Sequence, residues 1–195
     1  MKHKKAVYIK RFAAFFIDWY IASLFASIPV IMIQSLQAGE LVIINSLEGL
    51  TLPLSWTAGV LALLFYALYY CVLPCRAGKT RKIGQTFGRQ LMKIQLVKRD
   101  NSPLSYKNLL IRDFICVLLL EGYLTSTNIY IMSLIQKTTG TYVVPYFQSI
   151  YYVTAALSLL MLLLGKRNQM LHDLISKTIM VEVNGQLTPG KDYPK

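Results

Sequence analysis

The chain has 195 residues, 54% of them hydrophobic and 15% charged, with a mean hydropathy of +0.44; an ordinary soluble domain has about 25% charged residues. It nevertheless carries 21 Lys and Arg against 9 Asp and Glu, a net charge of +12. Apolar blocks alternate with basic ones, which excludes a disordered tail, a disulfide scaffold and a polar nucleic-acid binder, and argues against a soluble enzyme.

In chain order, residues 1–7 are a basic arm containing Lys2, Lys4 and Lys5. Four stretches then have the length to cross a hydrocarbon core of about 30 Å as helices. The first covers 12–33 and the second 52–73, bracketed by Pro53 and Pro74. The third, 109–135, contains Arg112, Asp113, Glu121 and Asn128; the fourth, 143–164, carries Pro145 in its first turn, where a helix tolerates it. The first stretch is too long for a secretory-signal core, contains Asp18 and lacks a small-x-small cleavage site.

Between the second and third stretches, Cys75 to Lys107 leaves the membrane. Ile83, Phe87, Leu91 and Ile94 recur at helical spacing, which predicts an amphipathic helix on the inner leaflet. Lys93 to Lys98 alternates like a strand, and Arg99 to Pro103 reads as a turn. The two patterns overlap over Leu91 to Ile94, where spacing does not place the boundary. Lys177 to Val183 alternates as well, and because a lone strand is marginal in water the two segments are expected to pair. Residues 184–195, with Gly185, Pro189, Gly190 and Pro194, read as a mobile tail. No internal repeat of 20–50 residues is visible. The expected fold is therefore an all-α membrane protein with one domain over 8–183. It is a four-transmembrane-helix bundle with a cytoplasmic amphipathic helix and a short two-stranded β pair.

Orientation follows from Lys and Arg near the span ends. Five precede the first span, none lies in the first loop, ten lie from Arg76 to Arg112, Lys137 stands in the third loop and five follow the fourth span. Both termini are expected in the cytoplasm, at the cell membrane. Basic flanks bind anionic headgroups at about 1 kcal/mol per residue, so no nucleic-acid partner is needed to explain the charge.

Several motifs carry no chemistry. Ala77-Gly78-Lys79-Thr80 resembles the end of a phosphate loop, but Leu73 stands where its first glycine belongs and an apolar helix replaces the required strand. Gly84 and Gly88 lie in a polar segment, where a turn or close packing suits them better than helix dimerisation. Cys71, Cys75 and Cys116 read as small apolar residues rather than a redox pair or metal site. His3 and His172 are the only histidines. No metal, cofactor or catalytic set is expected, and the chain is not expected to be an enzyme.

The informative residues are charges at membrane depth. Asp18 lies roughly 9 Å inside the first span, and Glu121 roughly 12 Å deeper than Asp113. Such groups cost about 2.5–3.5 kcal/mol each on insertion scales and face a partner or a watery cavity. Thr125 and Asn128 follow Glu121 at helical spacing. Asp18, Asp113, Glu121, Thr125 and Asn128 therefore outline a candidate cation or proton path. Arg11 and Asp18 stand about 10 Å apart along one helix, so each must look to another segment. Arg11, Asp18, Arg112 and Asp173 form a candidate structural clasp, and both readings stand.

The pattern Arg11-Phe-Ala-Ala-Phe-Phe-Ile-Asp18 resembles the opening of the RDD family of membrane proteins, named for one arginine and two aspartates. Gly84 to Val97 is similar to that family's middle loop, Leu109 to Arg112 to its third-span entrance, and Leu171 to Val181 to its ending. The resemblance implies that Arg11 and Asp18 are the family's arginine and first aspartate, with Asp173 or Asp113 as the second. It also implies transport of an unidentified ligand, with sodium/proton exchange linked to some relatives. Two functions follow: a transporter or exchanger of a cation, proton or small ligand, expected to work as a homo-oligomer, and a non-transporting assembly, immunity or partner-binding module.

Overall fold

A computed structural model of the chain describes residues 6–76, 78, 82–100, 102–120, 125, 127–164 and 169–183. Most of the basic arm, the tail 184–195 and Glu121 lie outside the described residues. Helix α1, Tyr8–Ala38, has 31 residues, about 46 Å at 1.5 Å per residue, and outruns a hydrocarbon core. It ends at Gly39, whose φ of 75° is the left-handed cap that suits glycine, with its N–H donating to Ser35 O at 3.0 Å. Helix α2, Leu52–Ala67, starts with Pro53 in its first turn and runs on through a π turn, Leu68–Val72, into a 3₁₀ turn, Leu73–Cys75. Pro74, which has no N–H, sits in that last turn. Ala14, Ala22, Ala26 and Val30 of α1 and Ala58, Ala62 and Tyr66 of α2 are all buried where the two helices meet. Small residues there let the backbones approach closely.

The third expected span is not one helix among the described residues. Helix α4, Tyr106–Leu109, widens into a π-helix over Leu110–Leu120, and a separate helix α5, Asn128–Thr139, follows. Thr125 therefore precedes α5 and Asn128 begins it, so the expected polar stripe does not run along a single helix. The physical reason is polarity. Arg112 and Asp113 are buried near its start, and Thr125, Thr127 and Asn128 are buried around the break, where short polar side chains compete with the helical ladder. Three helices among the described residues, Tyr8–Ala38, Leu52–Cys75 and Val144–Leu164 (α6), are long and apolar enough to cross a membrane.

The polar connections fold into two copies of one unit. Helix α3, Phe87–Leu91, is followed by strand β1, Ile94–Lys98; helix α7, Leu171–Ile175, is followed by strand β2, Thr178–Glu182. In each, a lysine with positive φ, Lys93 at 54° or Lys177 at 55°, turns helix into strand. Each glutamine two residues before its helix donates to the first carbonyl of its own strand: Gln85 to Ile94 O at 2.9 Å and Gln169 to Thr178 O at 3.0 Å. The strands pair antiparallel with Leu96 opposite Met180. Reciprocal bonds, Val183 N–H to Lys93 O and Arg99 N–H to Lys177 O, extend the ladder at both ends. The units are thus related by a local two-fold axis through the middle of the sheet. Sequence reveals little of it, since over Gln85–Val97 and Gln169–Val181 only Gln, Lys and Val recur in register.

The expected amphipathic helix shrinks accordingly. Phe87 and Leu91 do face outward, but Ile94 belongs to the strand and is fully buried. At the opposite end of the bundle, Lys137 Nζ donates to Leu47 O, Leu50 O and Ser55 Oγ at 2.6–2.9 Å. An ammonium group thereby satisfies all its donors without any anion.

Candidate functional site

The buried face of α1 carries Arg11 and Asp18 in line with its alanines. Beside Asp18, α3 comes exceptionally close. A Cβ on Gly88 would stand 2.4 Å from Ala14 O and 2.9 Å from Asp18 Cγ, so only glycine fits. The approach lets Gly88 N–H donate to Asp18 Oδ1 at 2.8 Å, while Thr86 Oγ1 donates to Oδ2 and Tyr69 Oη to Oδ1, each at 2.5 Å. Gly84 answers the other reading of that glycine pair: it has φ 87° and makes a turn against Leu96 O.

One residue beyond Gly88, Arg89 turns inward and its Nη2 reaches both oxygens of Asp113, at 3.1 and 3.3 Å. Arg112, one residue away from Asp113 along the π-helix, also holds Asp113 Oδ1. Its Nε and Nη2 donate to Asp173 Oδ1 at 3.1 and 3.0 Å, and its Nη2 lies 3.0 Å from His172 Nε2. Arg11 holds the other oxygen of Asp173. The chain of contacts runs Arg11–Asp173–Arg112–Asp113–Arg89, with Asp18 beside Arg89's own helix. Three arginines face three aspartates, and all six residues are at most 7% exposed.

Balance is what makes this burial tolerable, because a lone buried charge is far costlier than a paired one. Asp173 illustrates it. Burial pushes its carboxyl pKa up, but the guanidinium groups of Arg11 and Arg112 outweigh that and hold it well below the usual carboxylate range. The two repeated units supply opposite signs at equivalent positions: Arg89 is the third residue of α3, and Asp173 the third of α7. The cluster borders a cavity of about 140 Å³, whose other walls include Phe12, Phe15, Val117 and Leu162.

The sequence matches the RDD family over residues 5–177. The chain belongs to the RDD family. No curated protein and no solved structure matches it.

In this RDD protein, Arg11, Arg112, Asp113 and Asp173 come together in one network. Both candidates for the family's second aspartate are in it. Asp18 lies against the same cavity but touches neither Arg11 nor Arg112; hydroxyl groups and a backbone N–H take that place because α3 inserts beside it. Thr125 and Asn128 are buried elsewhere, where Tyr151 Oη donates to Asn128 Oδ1 at 3.2 Å, and Glu121 is not among the described residues. Sequence reasoning missed Arg89, Thr86 and Tyr69, while Gly88 makes the close packing expected of it. Arg89 counted only as part of a basic loop, and its equivalence to Asp173 emerges only once the two units are superposed in space.

Proposed function

We propose that this RDD protein is a four-span membrane transporter with both termini in the cytoplasm, exchanging a proton or monovalent cation at the arginine–aspartate cluster. The observation that carries the reading is a balanced cluster of six buried charges, five of them lining a cavity, on elements that include both repeated units. Ionisable groups within membrane proteins commonly mark solute paths, and transporters often build their sites where internal repeats meet. Arg112 divides its donors between Asp113 and Asp173, and Asp113 accepts from two arginines. A proton or cation arriving at Asp113 releases an arginine, and the freed arginine loosens the tie between the units. The fourth crossing is made by the segment 109–135.

A second reading rests on its own observation. Each aspartate already holds at least two donors, which is how a permanent clasp in a non-transporting module would look. Purified protein in proteoliposomes with an internal pH dye separates the two. Transport predicts a pH change driven by a sodium or potassium gradient, lost in Asp113→Asn. Folded wild-type protein that moves neither protons nor cations overturns the transporter in favour of the clasp.

A further inference from the structure

Arg89 is 5% exposed, and its Nη2 is committed to Asp113. Among the described residues its Nη1 has no hydrogen-bond partner although it is buried. A buried donor left bare costs about 1–3 kcal/mol, and this one belongs to a residue that lines the cavity. The cavity's lining is both charged and apolar. Arg11, Arg89 and Arg112 border it with only Asp18 and Asp113 as lining carboxylates, since Asp173 stands behind its arginines. The lining also includes Phe12, Phe15, Phe16, Val117 and Leu162, and Phe16 is 61% exposed. The apolar lining therefore continues towards the surface that the membrane reading assigns to lipid.

A water molecule on Nη1 would satisfy the guanidinium, but it would leave the apolar wall without a counterpart. An oxyanion bearing a hydrocarbon chain satisfies both. Its head accepts from the bare Nη1 of the guanidinium group, a donor that suits carboxylate and phosphate oxygens, and its chain lies along the phenylalanines towards the rim. We propose that this cavity binds an amphiphilic oxyanion, a chain-bearing carboxylate or phosphate, with Arg89 Nη1 as its head-group donor. The site exists whether or not the chain transports cations, so its test does not depend on flux.

Thermal melting of the purified protein in a neutral maltoside detergent reads binding directly, because a ligand that binds the folded state raises the midpoint. The probes are dodecanoate and dodecyl phosphate, with acetate and inorganic phosphate as heads alone. Dodecanol supplies the chain alone, and dodecyltrimethylammonium the opposite charge. At least one chain-bearing oxyanion should raise the midpoint saturably, and the stronger of the two identifies the head group and so the source. Heads alone should need concentrations higher by about tenfold or more, and dodecanol and the cation should not stabilise. Arg89→Lys, which keeps the charge beside Asp113 but removes the second donor nitrogen, should weaken binding by about tenfold. Val117→Phe narrows the apolar side without touching any charge and should do the same while melting normally without ligand. No shift with either oxyanion overturns the site, as does an equal shift with dodecanol or undiminished binding by folded Val117→Phe.

Discussion

The two helix–strand units share a backbone and differ in what they present. One carries Gly88 and Arg89 at the second and third positions of its helix; the other carries His172 and Asp173. The first unit slides against α1 so closely that a side chain is excluded, and so brings its peptide N–H to Asp18. In the second, the equivalent position holds His172, which lies against Arg112. One scaffold thus serves two purposes, a backbone donor for one aspartate and a carboxylate for two arginines. What differs is the residue at the second helical position, a glycine in one unit and a histidine in the other.

The largest expected effect comes from the residue that ties the second unit to the first. Arg112 is the only described side chain that contacts Asp113, His172 and Asp173 together. Arg112→Ala strands carboxylates in a buried site, and breaking such pairs costs about 3–5 kcal/mol. Little folded protein should survive detergent extraction and size-exclusion chromatography. A well-folded Arg112→Ala protein would mean that the two units hold together without the cluster.

Asp173→Asn should come next, and its pH dependence has a definite sign. The folded carboxyl is held below its unfolded value, ordinarily about 3.9, so its stabilisation is complete above that value and is lost as pH falls through the folded one. The gap in melting temperature between wild type and Asp173→Asn should therefore be constant from about pH 5 upward and close only in stronger acid. A gap that closes near pH 6 would show that the arginines do not hold this carboxylate ionised.

Gly88→Ala tests the approach distance itself. Ala14 O is backbone and cannot rotate away, so α3 must lift from α1, at a cost of about 1–3 kcal/mol. The equivalent change in the other unit, His172→Ala, adds no Cβ and should not displace its helix. If Gly88→Ala melts like wild type, the close approach is not needed to hold Asp18.

Much of this was legible in the chain. The apolar stretches 12–33 and 52–73 fall within helices long enough to span and 143–164 matches a third to within one residue, because their length and scarcity of charge leave no other stable form. The pairing of the two alternating segments followed from the instability of a lone strand. Two things were not legible. The stretch 109–135 reads as apolar on average, yet its hydrogen bonding changes where polar side chains cluster, and averages hide that. Arg89 looked like one more cytoplasmic positive charge. Its burial depends on an aspartate from a later segment, and charge matched across a fold leaves no periodicity along a sequence.

The smallest expected effect concerns the bond the two units share. Gln85 and Gln169 make the same hydrogen bond to the first carbonyl of their own strands, so a purely symmetric scaffold would lose equally from either Gln→Ala change. Their other ends differ. Gln85 Oε1 accepts from Lys82 N–H at 2.8 Å, whereas Gln169 Oε1 is buried without a partner. Gln85→Ala forfeits two bonds, each worth about 0.5–1.5 kcal/mol. Gln169→Ala forfeits one and at the same time removes a bare acceptor, whose burial already costs about 1–3 kcal/mol. Melting should fall clearly for Gln85→Ala and little or not at all for Gln169→Ala. Equal losses would indicate that something, a water molecule or a neighbouring residue, already satisfies Gln169 Oε1, and the two units would then be closer to equivalent than their hydrogen bonds imply.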